Sequence, residues 1–365
     1  PAGREALCGR RDAVEGCAVS GRVALSRRQL GAAAFAGGLA PAVALSGGAW
    51  QGVALAAPGL LLVFWLLFRL APRWAGLGGV RRAALRSGYA LWALALLARG
   101  LGRCADRLSA TGGGGDAARV WLIALAAAPL LYLARGSRAA FFRGAELCYL
   151  AAAAAAAVLV CWGAFRVCPA YLARLAPGGL ARGALAAVET SGTFLFLLPH
   201  MDDAGVDGTA RDSAGTRLLP WLAALLAAQA VLCAVTSGVL GPRLSAAVAA
   251  PFFKMAACLG RAVRAEGLGS ALWLFSDIIW LALLAWSVPG LTKNLRAAWV
   301  ALGAVGAALG ADQVFSERFW GAGTVVLLAA AVIVLASAGE NCACPADGGT
   351  TSCGVPRGRK KPWKK

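Results

Sequence analysis

Residues 218–240 read LLPWLAALLAAQAVLCAVTSGVL, a run without a single charged side chain. About 20 consecutive apolar residues are enough to cross the hydrocarbon core of a bilayer as one helix. Comparable runs lie at Gly52–Phe68, Cys148–Phe165 and Trp320–Ala338. The sequence therefore predicts a helical protein that crosses a membrane several times.

The composition of the whole chain supports this prediction. Of its 365 residues, 59% are hydrophobic and only 15% are charged, whereas about a quarter of the residues in soluble domains are charged. The net charge is +19, and the basic residues lie mostly in short loops and in the C-terminal tail. We expect them to set the topology and to contact anionic lipid headgroups, and we expect no nucleic-acid partner.

We predict an all-α, polytopic integral membrane protein with about four to six membrane-embedded helices. Residues 1–75 are expected to form an N-terminal extension that holds a candidate targeting segment and the first span. Residues 76–340 are expected to form the helical membrane domain. Residues 341–365 form a basic tail, which the positive-inside rule places in the cytosol.

A basic amphipathic segment at residues 81–108 stands out in this apolar chain. At 100° per residue, its arginines fall within an arc of roughly 160° on a helical wheel. They are Arg81, Arg82, Arg86, Arg99, Arg103 and Arg107. We expect a helix that lies in the membrane interface with these arginines on anionic headgroups. The alternatives are a helix packed inside a bundle and a span whose terminal arginines reach the interface.

A second amphipathic segment runs from Phe252 to Glu266. Lys254, Arg261 and Arg264 share one side of its helical wheel, and apolar residues share the other. The same interfacial arrangement is expected here, with these three cations at the lipid surface.

Two acidic residues lie within apolar runs. Asp277 lies between Trp273 and Trp286, and Glu189 lies within Ala184–Leu198. A carboxylate at membrane depth is costly unless it is protonated or paired. Each acid therefore lines a transport path, pairs with an arginine of a neighbouring helix, or lies near the membrane interface on a helix that lies flat, and the sequence leaves these alternatives open.

Groups that could perform catalysis are scarce. His200 is the only histidine, which excludes haem ligation by paired histidines and multi-histidine di-iron sites. Cys342, Cys344 and Cys353 have no histidine nearby, so they make a poor zinc site. We predict that the chain is not an enzyme and has no cofactor, no metal and no catalytic residue.

Four segments, taken in order, resemble the peroxin eleven family of peroxisomal membrane proteins. They are Arg81–Tyr89, Leu133–Gly144, Thr193–Leu198 and the stretch from Ser276 to Gly306. The resemblance implies a peroxisomal location and a role in peroxisome elongation, proliferation and division, with recruitment of the division machinery. A plastid or secretory membrane is the alternative location.

These features together predict a non-catalytic protein that shapes an organelle membrane. It would act by inserting amphipathic helices into one leaflet and by forming homo-oligomers along helix faces of small residues. The rival prediction is a small-solute transporter or channel in which the intramembrane carboxylates Asp277 and Glu189 line the path.

Overall fold

The computed structural model describes residues 26–74, 77, 79–112, 116–176, 178–201, 217–248, 250–259, 265–288, 292–310, 313 and 317–337. Within these ranges the regular structure is entirely helical, and no strand is found. The predicted all-α class is confirmed. The basic tail, Arg261 and Arg264 lie outside the described residues.

Fourteen α-helices follow one another through the described ranges. They are α1 (Arg27–Ala44), α2 (Trp50–Leu70), α3 (Gly79–Gly112), α4 (Asp116–Arg135), α5 (Arg138–Ala164), α6 (Pro169–Leu172), α7 (Gly179–Leu195), α8 (Leu198–Met201), α9 (Leu219–Leu240), α10 (Pro242–Ala247), α11 (Pro251–Leu259), α12 (Ala265–Trp286), α13 (Lys293–Ala308) and α14 (Glu317–Ser337). A 3₁₀ turn at Ala71–Trp74 follows α2.

Five helices in the described ranges, α2, α4, α5, α9 and α14, are long and apolar enough to cross a membrane. The expected runs at Gly52–Phe68, Cys148–Phe165, Leu218–Leu240 and Trp320–Ala338 correspond to α2, α5, α9 and α14. Helix α12 contributes a shorter apolar segment, Trp273–Trp286. The protein is therefore an all-α polytopic integral membrane protein, as its composition predicts.

Helix α1 lies at the centre of the bundle. It packs against α5, α7, α9 and α12, and Leu30, Ala34 and Leu39 are at most 2% exposed. Its start is fixed by a capping box, in which the Ser26 hydroxyl accepts from the Gln29 N–H and the Gln29 side chain accepts from the Ser26 N–H. Residues of α1 and α2 thus pack against helices that follow residue 76.

Glycines allow α2 and α7 to approach backbone to backbone. A Cβ on Gly183 would overlap the carbonyl oxygen of Ala49, and a Cβ on Gly52 would overlap that of Leu180. The Ala49 N–H donates to the Gly179 carbonyl at 3.1 Å. Small residues at a helix crossing permit this contact, which fixes the position of α7.

Gly183→Val is expected to destabilise the protein by about 1–3 kcal/mol, because the new side chain forces α2 and α7 apart. Thermal unfolding in detergent measures the loss. Gly144→Val in α5 is the matched control, since a Cβ there meets nothing within 4 Å. Equal losses for the two variants would contradict the close crossing.

Candidate functional site: a buried charge cluster

Helix α3, which carries the basic segment, is packed on several sides by other helices. It contacts α4, α12, α13 and α14. Leu97 and Leu101 are fully buried, while Leu91 is exposed. Some apolar residues of α3 therefore pack against other helices, and others lie on the outer surface. This packing agrees better with a helix inside a bundle than with a helix in the membrane interface.

Glu189 of α7 binds two arginines of α3. The Arg99 Nη1 donates to the Glu189 Oε1 at 2.7 Å, and the Arg103 Nη1 donates to the same oxygen at 3.0 Å. The side chains of Arg99 and Glu189 are 3% and 8% exposed. The Arg99 guanidinium carbon also lies 4.7 Å from the centre of the Trp320 ring in α14. The ion pair of Arg99 and Glu189 is therefore buried between α3, α7 and α14.

Asp277 of α12 forms an ion pair with Arg107 of α3. Both side chains are largely buried, and the Arg107 guanidinium carbon lies 5.3 Å from the centre of the Phe253 ring in α11. Arg107 also donates to the Cys104 sulfur at 3.8 Å, and Arg103 precedes Arg107 by one helical turn on the same face of α3. Arg99, Arg103, Arg107, Glu189 and Asp277 are called the charge cluster below.

The charge cluster bears on two predictions. Arg99, Arg103 and Arg107 bind carboxylates of neighbouring helices, and their four-residue spacing places them on one face of α3. Their positions give no support to contact with lipid headgroups, which stays a prediction. Glu189 and Asp277 pair with arginines of a neighbouring helix, as one of the alternatives predicts, and a transport role for them stays a prediction.

The remaining arginines of the basic segment lie nearer to the start of α3. Arg81 is exposed, and Arg82 and Arg86 are half-buried. Their contact with lipid headgroups stays a prediction. The six arginines that share one arc of the helical wheel thus divide into an outer and an inner group.

Helix α11 covers the first part of the predicted amphipathic segment and turns its apolar side toward protein. Phe252 and Met255 are fully buried, and α11 packs against α5, α9 and α12. Lys254 is exposed. A lipid-surface role for Lys254, Arg261 and Arg264 stays a prediction, the last two being outside the described residues.

The α7 helix is interrupted in the interior of the protein. It ends at Leu195, and α8 begins at Leu198, although residues 194–198 are at most 1% exposed. The Leu197 N–H donates to the Phe194 carbonyl at 3.2 Å. The ring of Phe196 lies 5.9 Å from that of Tyr89 and 5.8 Å from that of Trp280. At 1.5 Å per residue, this break lies about 10 Å along the chain from Glu189.

Several buried polar atoms of α7 and α9 have no hydrogen-bond partner among the described residues. They are the Thr190 Oγ1, both amide atoms of Gln229, and the Thr236 Oγ1. Helices α1, α7 and α9 meet nearby, since a Cβ on Gly38 would touch Leu225 and Thr193. Gln229 follows Leu225 by one helical turn. Most buried polar groups in proteins have a hydrogen-bond partner, so these four atoms are exceptions.

The described residues contain no group of three or more His, Cys, Asp or Glu side chains that could hold a metal ion. No family model matches this chain, and no curated protein matches it either. The resemblance to the peroxin eleven family, together with the location and partners it implies, therefore stays a prediction.

Proposed function

We propose that this chain is a small-solute transporter whose charge cluster changes partners during the transport cycle. The position of Arg103 carries the proposal, because this residue is bonded to Glu189 of α7 and lies one helical turn before Arg107, which is bonded to Asp277 of α12. Ionisable groups inside a membrane protein are costly, and they mark substrate and ion pathways.

The proposed cycle has two arrangements of the charge cluster, with Arg103 on Glu189 in one and on Asp277 in the other. Arg99 pairs with Glu189 and Arg107 pairs with Asp277, so both carboxylates remain paired when Arg103 moves between them. Protonation of either acid weakens its hold on Arg103 and shifts the balance between the two arrangements.

The interior of the bundle also offers the features of a solute site. Transporter sites are commonly built at discontinuous helices, and α7 is interrupted at Phe196 between Tyr89 and Trp280. The hydroxyl of Thr190 lies in α7 itself, six residues before the interruption, and has no hydrogen-bond partner among the described residues.

Membrane shaping through residues 81–108 has less support. Helix insertion into one leaflet needs an apolar face that is free to enter lipid. In α3 the inner part of that face contacts α12 and α13, and three of the six arginines bind carboxylates. We therefore rank transport above membrane shaping.

Uptake by the full chain in liposomes tests the proposal. The probes are radiolabelled monocarboxylates, amino acids and monosaccharides, each measured with and without an inward pH gradient. We expect uptake of one class that the gradient accelerates. Asp277→Asn is expected to slow it at least about tenfold, a rise of about 1.4 kcal/mol in the barrier, because the neutral amide no longer competes for Arg103.

Asp106→Asn is the matched control. Asp106 accepts from Arg119 at 2.7 Å, but its side chain is 48% exposed and lies outside the charge cluster. This variant should transport at the rate of the unchanged protein. Absence of uptake for all three solute classes, or equal rates for Asp277→Asn and Asp106→Asn, would count against transport through the charge cluster.

A further inference from the structure

A second basic site lies where α12 ends and α5 and α13 begin. Arg296 of α13 is only 9% exposed, and its guanidinium carbon lies 3.5 Å from the centre of the Trp286 ring. On α12, Trp286 is about 13 Å from Asp277 at 1.5 Å per residue. This site is therefore separate from the charge cluster.

Arg296 has a buried positive charge with no acidic partner. No ion pair within the described ranges includes it, and its buried Nε has no hydrogen-bond acceptor there. Contact with the Trp286 ring stabilises the cation but leaves the Nε–H without an acceptor. A buried charge of this kind is unfavourable until a counter-ion binds.

Three further features add positive potential at the same place. The start of α5 lies beside this site, because the ring of Phe141 in its first turn stacks on that of Trp286 at 6.4 Å, and Arg138 is the first residue of α5. The side chain of Ser137 caps α5, and that of Thr292 caps α13. The first turns of both helices therefore begin beside the two arginines, and helix N-termini favour anions.

We propose that Arg296 and Arg138 bind a phosphate-type oxyanion. Guanidinium groups donate paired hydrogen bonds to phosphate oxygens, and the oxyanion would supply both the missing charge and the missing acceptor for Arg296. The same chemistry is offered by the headgroup of an anionic lipid and by free phosphate. This site does not depend on the transport proposal, because it shares no residue with the charge cluster.

The test uses the full chain in neutral detergent without phosphate. Inorganic phosphate and phosphatidylglycerol are titrated separately at constant ionic strength, and the midpoint of thermal unfolding is followed by tryptophan fluorescence. We expect at least one probe to raise this midpoint. Arg296→Gln is expected to weaken the apparent dissociation constant about tenfold or more, since charge-assisted hydrogen bonds are lost.

Lys293→Gln is the matched control, because Lys293 is an exposed cation of the same helix. A shift with phosphatidylglycerol alone identifies a lipid headgroup site, and a shift with inorganic phosphate identifies a site for the free anion. If neither probe shifts the midpoint, or if Arg296→Gln and Lys293→Gln respond alike, the proposal is wrong. Should Arg296→Gln fail to fold, Arg138→Gln, which removes a half-buried side chain, takes its place in the comparison.

Discussion

Glu189→Gln is expected to destabilise the folded chain by about 3–5 kcal/mol, because it leaves a charged arginine buried without a carboxylate. Arg99 is the residue most affected, since its side chain is only 3% exposed. Arg103 is less affected, because its side chain is 26% exposed. Chemical unfolding in detergent micelles, followed by circular dichroism, measures the change.

The control for this variant is Glu146→Gln, which makes the same chemical change in another ion pair. Glu146 binds Arg28 at 2.9 Å, and the side chain of Arg28 is 74% exposed. Exposed pairs contribute at most about 1 kcal/mol, so the loss should be small. Equal losses for the two glutamines would show that the pairing of Glu189 with Arg99 does not stabilise the fold.

A double variant separates the buried charge from other effects of the glutamine. Arg99→Met combined with Glu189→Met removes both members of the sealed pair and keeps the interior filled. Apolar replacement of a buried ion pair is often neutral or stabilising, so this variant should regain most of the stability lost in Glu189→Gln. It should not regain transport, because Arg103 then has only Asp277 as a partner.

The membrane class and most of the helices could be predicted from the sequence, because long apolar runs have few other uses. The position of α1 could not be predicted. Its alanines and glycines carry little hydropathy signal, and their importance depends on which neighbours they touch. Gly38, for example, lies against Leu225 and Thr193. A local sequence pattern does not predict this contact, because the residues are far apart in the chain.

The members of the charge cluster could be predicted from the sequence, but their partners could not. Glu189, Asp277 and the three inner arginines were all identified from their residue types, and pairing was one of the stated alternatives. The helical wheel shows which residues of α3 share a face, but it does not show whether that face meets headgroups or a carboxylate of another helix. The wheel alone therefore gave Arg99 and Arg81 the same role.

Other parts of the site gave weak signals or none. Pro199 marks the interruption after Leu195, since proline does not continue a helix that precedes it. Gln229 lies in a run that was identified only as a span, and its significance comes from its amide, which has no hydrogen-bond partner in the part of the chain that the structure describes. Arg296 is a single cation among many, and only its burial distinguishes it from Lys293.

A disulfide between residues 97 and 303 is expected to form almost completely in the variant Leu97→Cys, Gly303→Cys. A Cβ on Gly303 would lie 3.5 Å from the Leu97 Cβ, within the separation of about 3.5–4.5 Å that a disulfide requires. The substitution at residue 97 also removes the leucine atoms that would otherwise clash. Mild oxidation of native membranes, followed by mass spectrometry of the linked peptides, measures the yield.

The control pair is Leu91→Cys with Gly303→Cys. Leu91 is on the same helix, but its side chain is 67% exposed, and six residues place it about 9 Å along the axis from Leu97. It should give no disulfide with residue 303. Native cysteines need no replacement, because the linked peptides are identified by mass.

This experiment decides between the two arrangements of residues 81–108. An interfacial helix with its apolar face in lipid has no reason to hold residue 97 against residue 303 of α13, so oxidation would leave both thiols free or link separate molecules. A helix inside the bundle keeps them in contact within one chain. A high intramolecular yield thus places α3 beside α13 and agrees with Arg99 and Arg103 directed toward Glu189. Links between chains alone would instead favour these arginines at the lipid surface, and would remove the basis for transport through the charge cluster.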